Sequence, residues 1–147
     1  MEGLQIQVLN LSSIEWTRNN WGVGAGQSTD VNWTDEITQS PSDVLHAHTG
    51  STTAAASTVH LGAIVKDALW MRLGYGSSEG SFAVEVRQFF HMFTIGPQDE
   101  WLHWDNGWSS STGDTTPYTW QFANCKVIAT PTLSDTGGSV SIVISNH

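Results

Sequence analysis

Leu4-Gln5-Ile6-Gln7-Val8 near one end of the chain and Ser139-Val140-Ser141-Ile142-Val143-Ile144 near the other decide the fold. Both alternate apolar with polar residues, the period of a β-strand that buries one face and wets the other. Working inward, Leu69–Leu73, Ser81–Val86, Phe89–Thr94, Tyr118–Phe122, Lys126–Thr130 and Thr58–Val65 are rich in Val, Ile, Phe, Tyr, Trp and Thr. Gly, Asn, Asp, Ser or Pro clusters bound most of these runs, with turns expected at Asn10–Ser13 and Asp135–Gly138. Helical periodicity is nearly absent. The best helical candidate is a turn or two at Ser42–His46 behind Pro41. Stretches 49–58 and 109–117 read as Ser/Thr/Gly-rich loops. No repeat or linker divides residues 1–147, so the expectation is one all-β domain, an antiparallel two-sheet β-sandwich.

Composition narrows the function. With 14 acidic against 5 basic residues the formal charge is −9. Nucleic acid, which is held by Lys and Arg neutralising phosphates, is therefore an unsuitable partner. An anionic bilayer is equally unsuitable, because each basic residue near it contributes only about 1 kcal/mol and few are present. No apolar run approaches the roughly 18 residues of a membrane span, and no Sec-type leader is visible. The expectation is a chain that is soluble as made, cytosolic at synthesis or released by a non-classical route, and acting on target membranes. The single Cys125 cannot form an internal disulfide and reads as an inert, half-buried thiol. Two glycosylation sequons, at Asn10 and Asn32, carry little weight without a secretory route.

The chemistry concentrates in one segment. Trp101, Trp104 and Trp108 fall within Asp99–Trp108, interleaved with Glu100, His103, Asp105 and Asn106, and Trp120 follows a Ser/Thr/Gly loop. An indole is costly to leave in water and carries one N–H that wants a partner. Spaced among polar and turn residues, such rings suit a surface that grips an amphipathic ligand, a lipid headgroup or a sugar; the competing reading is that they close one end of a sandwich. Three indoles each burying about 100 Å² of apolar area gain about 2.5 kcal/mol apiece, enough after ordering costs for weak to micromolar adhesion. Ser109, Ser110 and Tyr118 add donors for phosphate oxygens, and Asp105 and Glu100 accept from an ammonium group beside a ring. Trp21 and Trp33, in a second polar stretch from Trp16 to Thr38, read either as the other half of this patch or, for Trp21, as core. Trp16 and Trp70 read as core residues.

Three segments resemble the aegerolysin family of small membrane-binding proteins. Ile6-Gln7-Val8-Leu9-Asn10-Leu11-Ser12-Ser13 with Trp21-Gly22 is similar to that family's opening strand, its Asn-x-Ser turn and its downstream Trp-Gly. Gly76-Ser77-Ser78-Glu79-Gly80-Ser81-Phe82 resembles its central turn, and Trp104-Asp105-Asn106-Gly107-Trp108-Ser109-Ser110 its Trp-Asp-Cys-Pro-Trp-Gly-Ser motif, with Asn106 and Gly107 in place of Cys and Pro. The resemblance implies a sandwich of the aegerolysin and actinoporin-like cytolysin type. It also implies recognition of a zwitterionic, sphingolipid-like headgroup and a cytolytic or insecticidal role beside a larger perforin-like, pore-forming partner. The expected ligand surface, read from the residues themselves, is Trp101, Trp104, Asp105, Trp108, Ser109, Tyr118 and Trp120, with Trp21 and Trp33, and no cofactor is expected.

Other chemistries fit less well. A carbohydrate-binding lectin would use the same tryptophans. Gly76–Gly80 matches Gly-x-Ser-x-Gly, but a nucleophile elbow needs a helix after the serine and Ser81–Val86 alternates like a strand. His46 and His48 lack a third ligand at recognised spacing. Asp99, Glu100 and Asp105 evoke a glycosidase pair whose separation is unknowable from sequence. Six histidines on an acidic chain predict tighter membrane association in mild acid, as their protonation removes much of the net charge.

Overall fold

The structure, a computed structural model, describes residues 2–24, 33–60, 69–89, 92–97, 108–109, 117–133 and 137–147. These form strands β1 (Glu2–Asn10), β2 (Trp16–Gly24), β3 (Trp33–Gln39), β4 (Val44–Leu45), β5 (Gly50–His60) and β6 (Leu69–Ser77). Strands β7 (Gly80–Phe89), β8 (Met92–Pro97), β9 (Trp108–Ser109), β10 (Tyr118–Gln121), β11 (Cys125–Leu133) and β12 (Gly137–Asn146) complete the set, with no helix among the described residues. One sheet runs β10-β11-β12-β1-β5-β3 and the other β4-β2-β6-β7-β8-β9. The sheets face one another with β11 and β12 against β8 and β7, β1 and β5 against β6, and β3 against β2. The all-β sandwich read from the sequence is the fold.

Alternation builds the core. In the first sheet Ile6 pairs Val140 and Val8 pairs Ile142, and all four are buried. In the second, Met71–Val86, Leu73–Val84 and Tyr75–Phe82 form three buried cross-strand pairs. Among the described residues the pairing is antiparallel except at one place. β1 and β12, the two stretches that revealed the fold, are parallel neighbours at the centre of the first sheet. On the outer face of the second sheet Arg72 and Glu85 stand directly opposite one another, Nε to Oε2 at 2.5 Å, with Glu85 buried.

The structure corrects four expectations. Stretch 49–58 is not a loop. It enters β5, which pairs with β1 on one side and β3 on the other. Its inward residues Ala54 and Ala56 are buried, so the alternation is present but written in the smallest apolar side chain. Ser42–His46 is not helical: Val44 and Leu45 pair with Thr17 and Trp16 as a two-residue strand. Arg18 holds this turn, donating from its backbone N to the Asp43 carbonyl and from Nη1 to the Pro41 carbonyl, while its Nη2 pairs the Asp43 carboxylate at 2.6 Å. Trp16–Thr38, read from the sequence only as a polar stretch, contains two strands, β2 and β3. Phe89–Thr94 spans the end of β7 and the start of β8, which pair through Phe89 and Met92. The parts of the expected features at 61–65, 110–116 and 134–136 lie outside the described residues.

At one end of the sandwich the Asn10–Ser13 turn is locked by polar bonds. Asn10 occupies an inward position and is fully buried. Its amide Nδ2 donates to the carbonyls of Ile14, Leu45 and His46 at 2.8, 3.2 and 3.1 Å, and its Oδ1 accepts from the backbone N and Oγ of Ser12. This one side chain ties β1, the β1–β2 turn and β4 together. It also withdraws the first sequon from any glycosylation of the folded chain; Asn32 lies outside the described residues. Gly50 is required beside it, because a Cβ there would meet the His46 backbone at 2.6 Å.

Candidate functional site

The end of the tryptophan-rich segment is anchored at a sheet edge. Trp108 and Ser109 form β9 and pair with Ile95 and Thr94 of β8. Trp101, Trp104 and Asp105 lie outside the described residues, as do Glu100 and Ser110. The chain returns as β10, the edge strand of the facing sheet, beginning at Tyr118. Because β8 faces β11, the edges made by β9 and β10 lie on the same flank of the sandwich. The fold thus brings Trp108 and Ser109 to the same flank as Tyr118 and Trp120.

Along β10 the two rings divide their work. Tyr118 is 37% exposed, whereas Trp120, expected at the ligand surface, is only 7% exposed. Trp120 pairs with Val127 on the core-facing side of β11, which turns its indole inward. The rings meet edge-on at 4.7 Å and 70°. Trp120 then packs on Phe82 at 5.6 Å, Phe82 on Trp16 at 5.5 Å, and Trp16 on Phe122 at 5.7 Å. An aromatic column therefore runs from solvent at Tyr118 into the core at Trp16. Trp120 backs Tyr118 from the core side. Trp16 is a core residue, as its sequence context indicated, and its indole Nε1 donates to Ser12 Oγ at 3.4 Å.

The other two expected tryptophans stand elsewhere. Trp21 on β2 is half-buried and packs against the core cluster, and Trp33 opens β3. Strands β2 and β3 face one another on the flank opposite β9 and β10, so these residues do not extend the edge that carries Tyr118.

The remaining chemical motifs resolve into local structure. Ser78 and Glu79 form the turn of the β6–β7 hairpin, so a strand follows the Gly-x-Ser-x-Gly sequence. Glu79 accepts from the backbone N of Asn124 at 2.6 Å and from its Nδ2 at 3.3 Å, clamping the hairpin to the β10–β11 turn. Gly80 sits at φ +144° with the Phe122 ring 2.7 Å from where a Cβ would stand. His46 and His48 are exposed loop residues, with His46 Nδ1 3.3 Å from Glu15 Oε2. Among the described residues no three His, Cys, Asp or Glu side chains gather in a metal-binding group. Cys125 is fully buried rather than half-buried, and that desolvation, with the Glu79 carboxylate nearby, raises its pKa.

Sequence reasoning missed one feature of the surface. An open groove of about 760 Å³ crosses the outer face of the first sheet, over β12, β1 and β5, and reaches the Gln39–Ser42 segment. Its outward residues Gln7, Leu9, Ser51, Thr53, Ser141 and Val143 alternate with the core positions of the same strands, and the Ser, Thr and Gln side chains among them read one by one as ordinary solvated positions.

No protein-family model and no curated protein sequence matches the chain. Among solved structures, the crystal structure of the lipid binding protein Nakanori superposes with a TM-score of 0.61, covering 98% of this chain and 71% of that one at 9% identity. At that identity the likeness is one of fold: this chain folds as a β-sandwich similar to that of a lipid-binding protein.

Proposed function

We propose that the protein binds membrane lipid without catalysing a reaction. The observation that carries this reading is the likeness to a lipid-binding protein over 98% of the chain, joined to an edge where Trp108 and the exposed Tyr118 share one flank. The charge of −9 supports attachment by ring insertion rather than by attraction to anionic lipid. The favoured ligand is a zwitterionic, sphingolipid-type headgroup, with the tryptophans of Trp101–Trp108 and Tyr118 dipping into the bilayer interface and Asp105 and Ser109 meeting the headgroup. The motifs similar to those of the aegerolysins support a cytolytic or insecticidal role in which a second, pore-forming protein completes the lesion.

The test is flotation with vesicles of phosphatidylcholine alone, of sphingomyelin with cholesterol, and of ceramide phosphoethanolamine. The wild-type protein is expected to float with one of the sphingolipid vesicles, and the folded Trp104→Ala/Trp108→Ala double variant to lose that binding. Unchanged flotation of the folded variant removes the aromatic edge from the mechanism.

A further inference from the structure

We propose that the groove on the outer face of the first sheet is a saccharide site, separate from the aromatic edge, that takes a neutral hexose unit of a glycan. Twelve residues line it, and none carries an ionisable side chain, although the chain holds 14 acidic and 5 basic residues. Six of the twelve are Ser or Thr and two are Gln, which together supply hydroxyl and amide groups that both donate and accept. A charged ligand finds no counter-charge here. A neutral polyol finds hydroxyl and amide groups able to pair with its own hydroxyls.

The register arranges these groups in two rows. Thr53, Gln7 and Ser141 lie side by side across β5, β1 and β12, and Ser51, Leu9 and Val143 form the adjacent row. Strands stand about 4.8 Å apart, so the first row presents polar groups at intervals suited to a ring with hydroxyls on its rim. Leu9, at 38% exposure, lies next to Val143 and gives the groove an apolar strip against which the C–H face of a sugar ring rests. One wall is fixed in advance: the Ser42 backbone N donates to Thr52 Oγ1 at 2.8 Å, and the buried Tyr75 hydroxyl donates to the Ser42 carbonyl at 2.7 Å. The volume falls within the range of small-ligand pockets, about 300–1,000 Å³.

The experiment is a titration of the 15N-labelled chain with methyl glucoside, methyl galactoside, methyl mannoside, N-acetylglucosamine and lactose, followed by amide shifts. At least one sugar is expected to give saturable shifts at Gln7, Leu9, Ser51, Thr53, Ser141 and Val143, with a Kd of about 1 mM or tighter. Ser141→Trp, which fills the groove from an exposed position, is expected to weaken that binding at least tenfold while leaving vesicle flotation unchanged. Gln7→Ala, a truncation that adds no bulk, is expected to weaken it several-fold. No saturable shift with any of the five sugars, or shifts confined to Tyr118 and its neighbours, overturns the proposal. Loss of vesicle binding with an intact sugar titration instead refutes the lipid reading alone.

Discussion

Replacing Trp120 by Ala separates a supporting ring from a ligand-contacting one. The indole is 7% exposed and touches Phe82 on one side and Tyr118 on the other, with centroid distances of 5.6 and 4.7 Å. Truncating a buried Trp or Phe to Ala costs about 3–5 kcal/mol, and aromatic pairs of this geometry are worth about 0.5–1.5 kcal/mol beyond area alone. Because β10 is a four-residue edge strand, part of the cavity is expected to collapse or admit water, which places the loss near 3 kcal/mol. Urea denaturation at neutral pH measures it, with Trp120→Phe expected to recover about half and Tyr118→Ala to cost about 1 kcal/mol or less. Vesicle flotation then completes the contrast: Trp120→Phe keeps membrane binding, whereas Tyr118→Ala, stable and folded, weakens it. A Trp120→Ala variant destabilised by less than about 1 kcal/mol yet unable to float would refute the reasoning, since it would make Trp120 a ligand contact and not a support.

Two further outcomes follow from groups buried away from that edge. Asn10→Asp keeps the shape but replaces an NH₂ that serves three carbonyls with an oxygen that repels them; thermal or urea unfolding should show a loss of about 3 kcal/mol or more, and a near-neutral effect would mean that Asn10 does not tie these segments together. The Tyr75 hydroxyl, pushed up to about 12 chiefly by burial, binds its proton more tightly in the folded chain than a free tyrosine near 10, so its contribution is complete below pH 10 and is lost between about 10 and 12, of the order of 2 kcal/mol in all. Tyr75→Phe should flatten that alkaline limb of a stability-versus-pH curve, and an unchanged limb would assign it to other groups.

The β-strands that announce themselves are those whose inward residues are large. Leu4-Ile6-Val8, Val140-Ile142-Ile144 and Phe82-Val84-Val86 are legible because a bulky apolar residue recurs at every second position. β5 escapes because its inward positions are Ala54 and Ala56 between Ser and Thr, and β2 because Arg18, Asn19 and Asn20 surround a bulge where the register shifts. β4 is too short for any period, and only its pairing with Trp16 and Thr17 defines it. At the candidate edge, Tyr118 and Trp120 share a face of one strand, and alternation alone gives both rings the same environment. What separates them is position along the sandwich: Trp120 stands over Phe82, while Tyr118 lies one step nearer solvent. The groove was illegible for a different reason. Its residues come from β1, β5, β12 and the segment before β4, and their common neutrality is visible only once the register sets them side by side.

The parallel contact between β1 and β12 has a kinetic meaning. The central pair of the first sheet joins residues more than 130 positions apart, as where Leu4 stands beside Gly138, so a long loop must close before that pairing forms. During synthesis, β1 leaves the ribosome with its neighbour β5 available early, but its other side stays open until β12 emerges. The hairpin-rich second sheet, whose β6–β7 turn needs only Ser78 and Glu79, is free to assemble well before that. Closure of the first sheet is therefore expected to be the slow step, with the unpaired flank of β1 the surface a chaperone would have to shield until β12 docks.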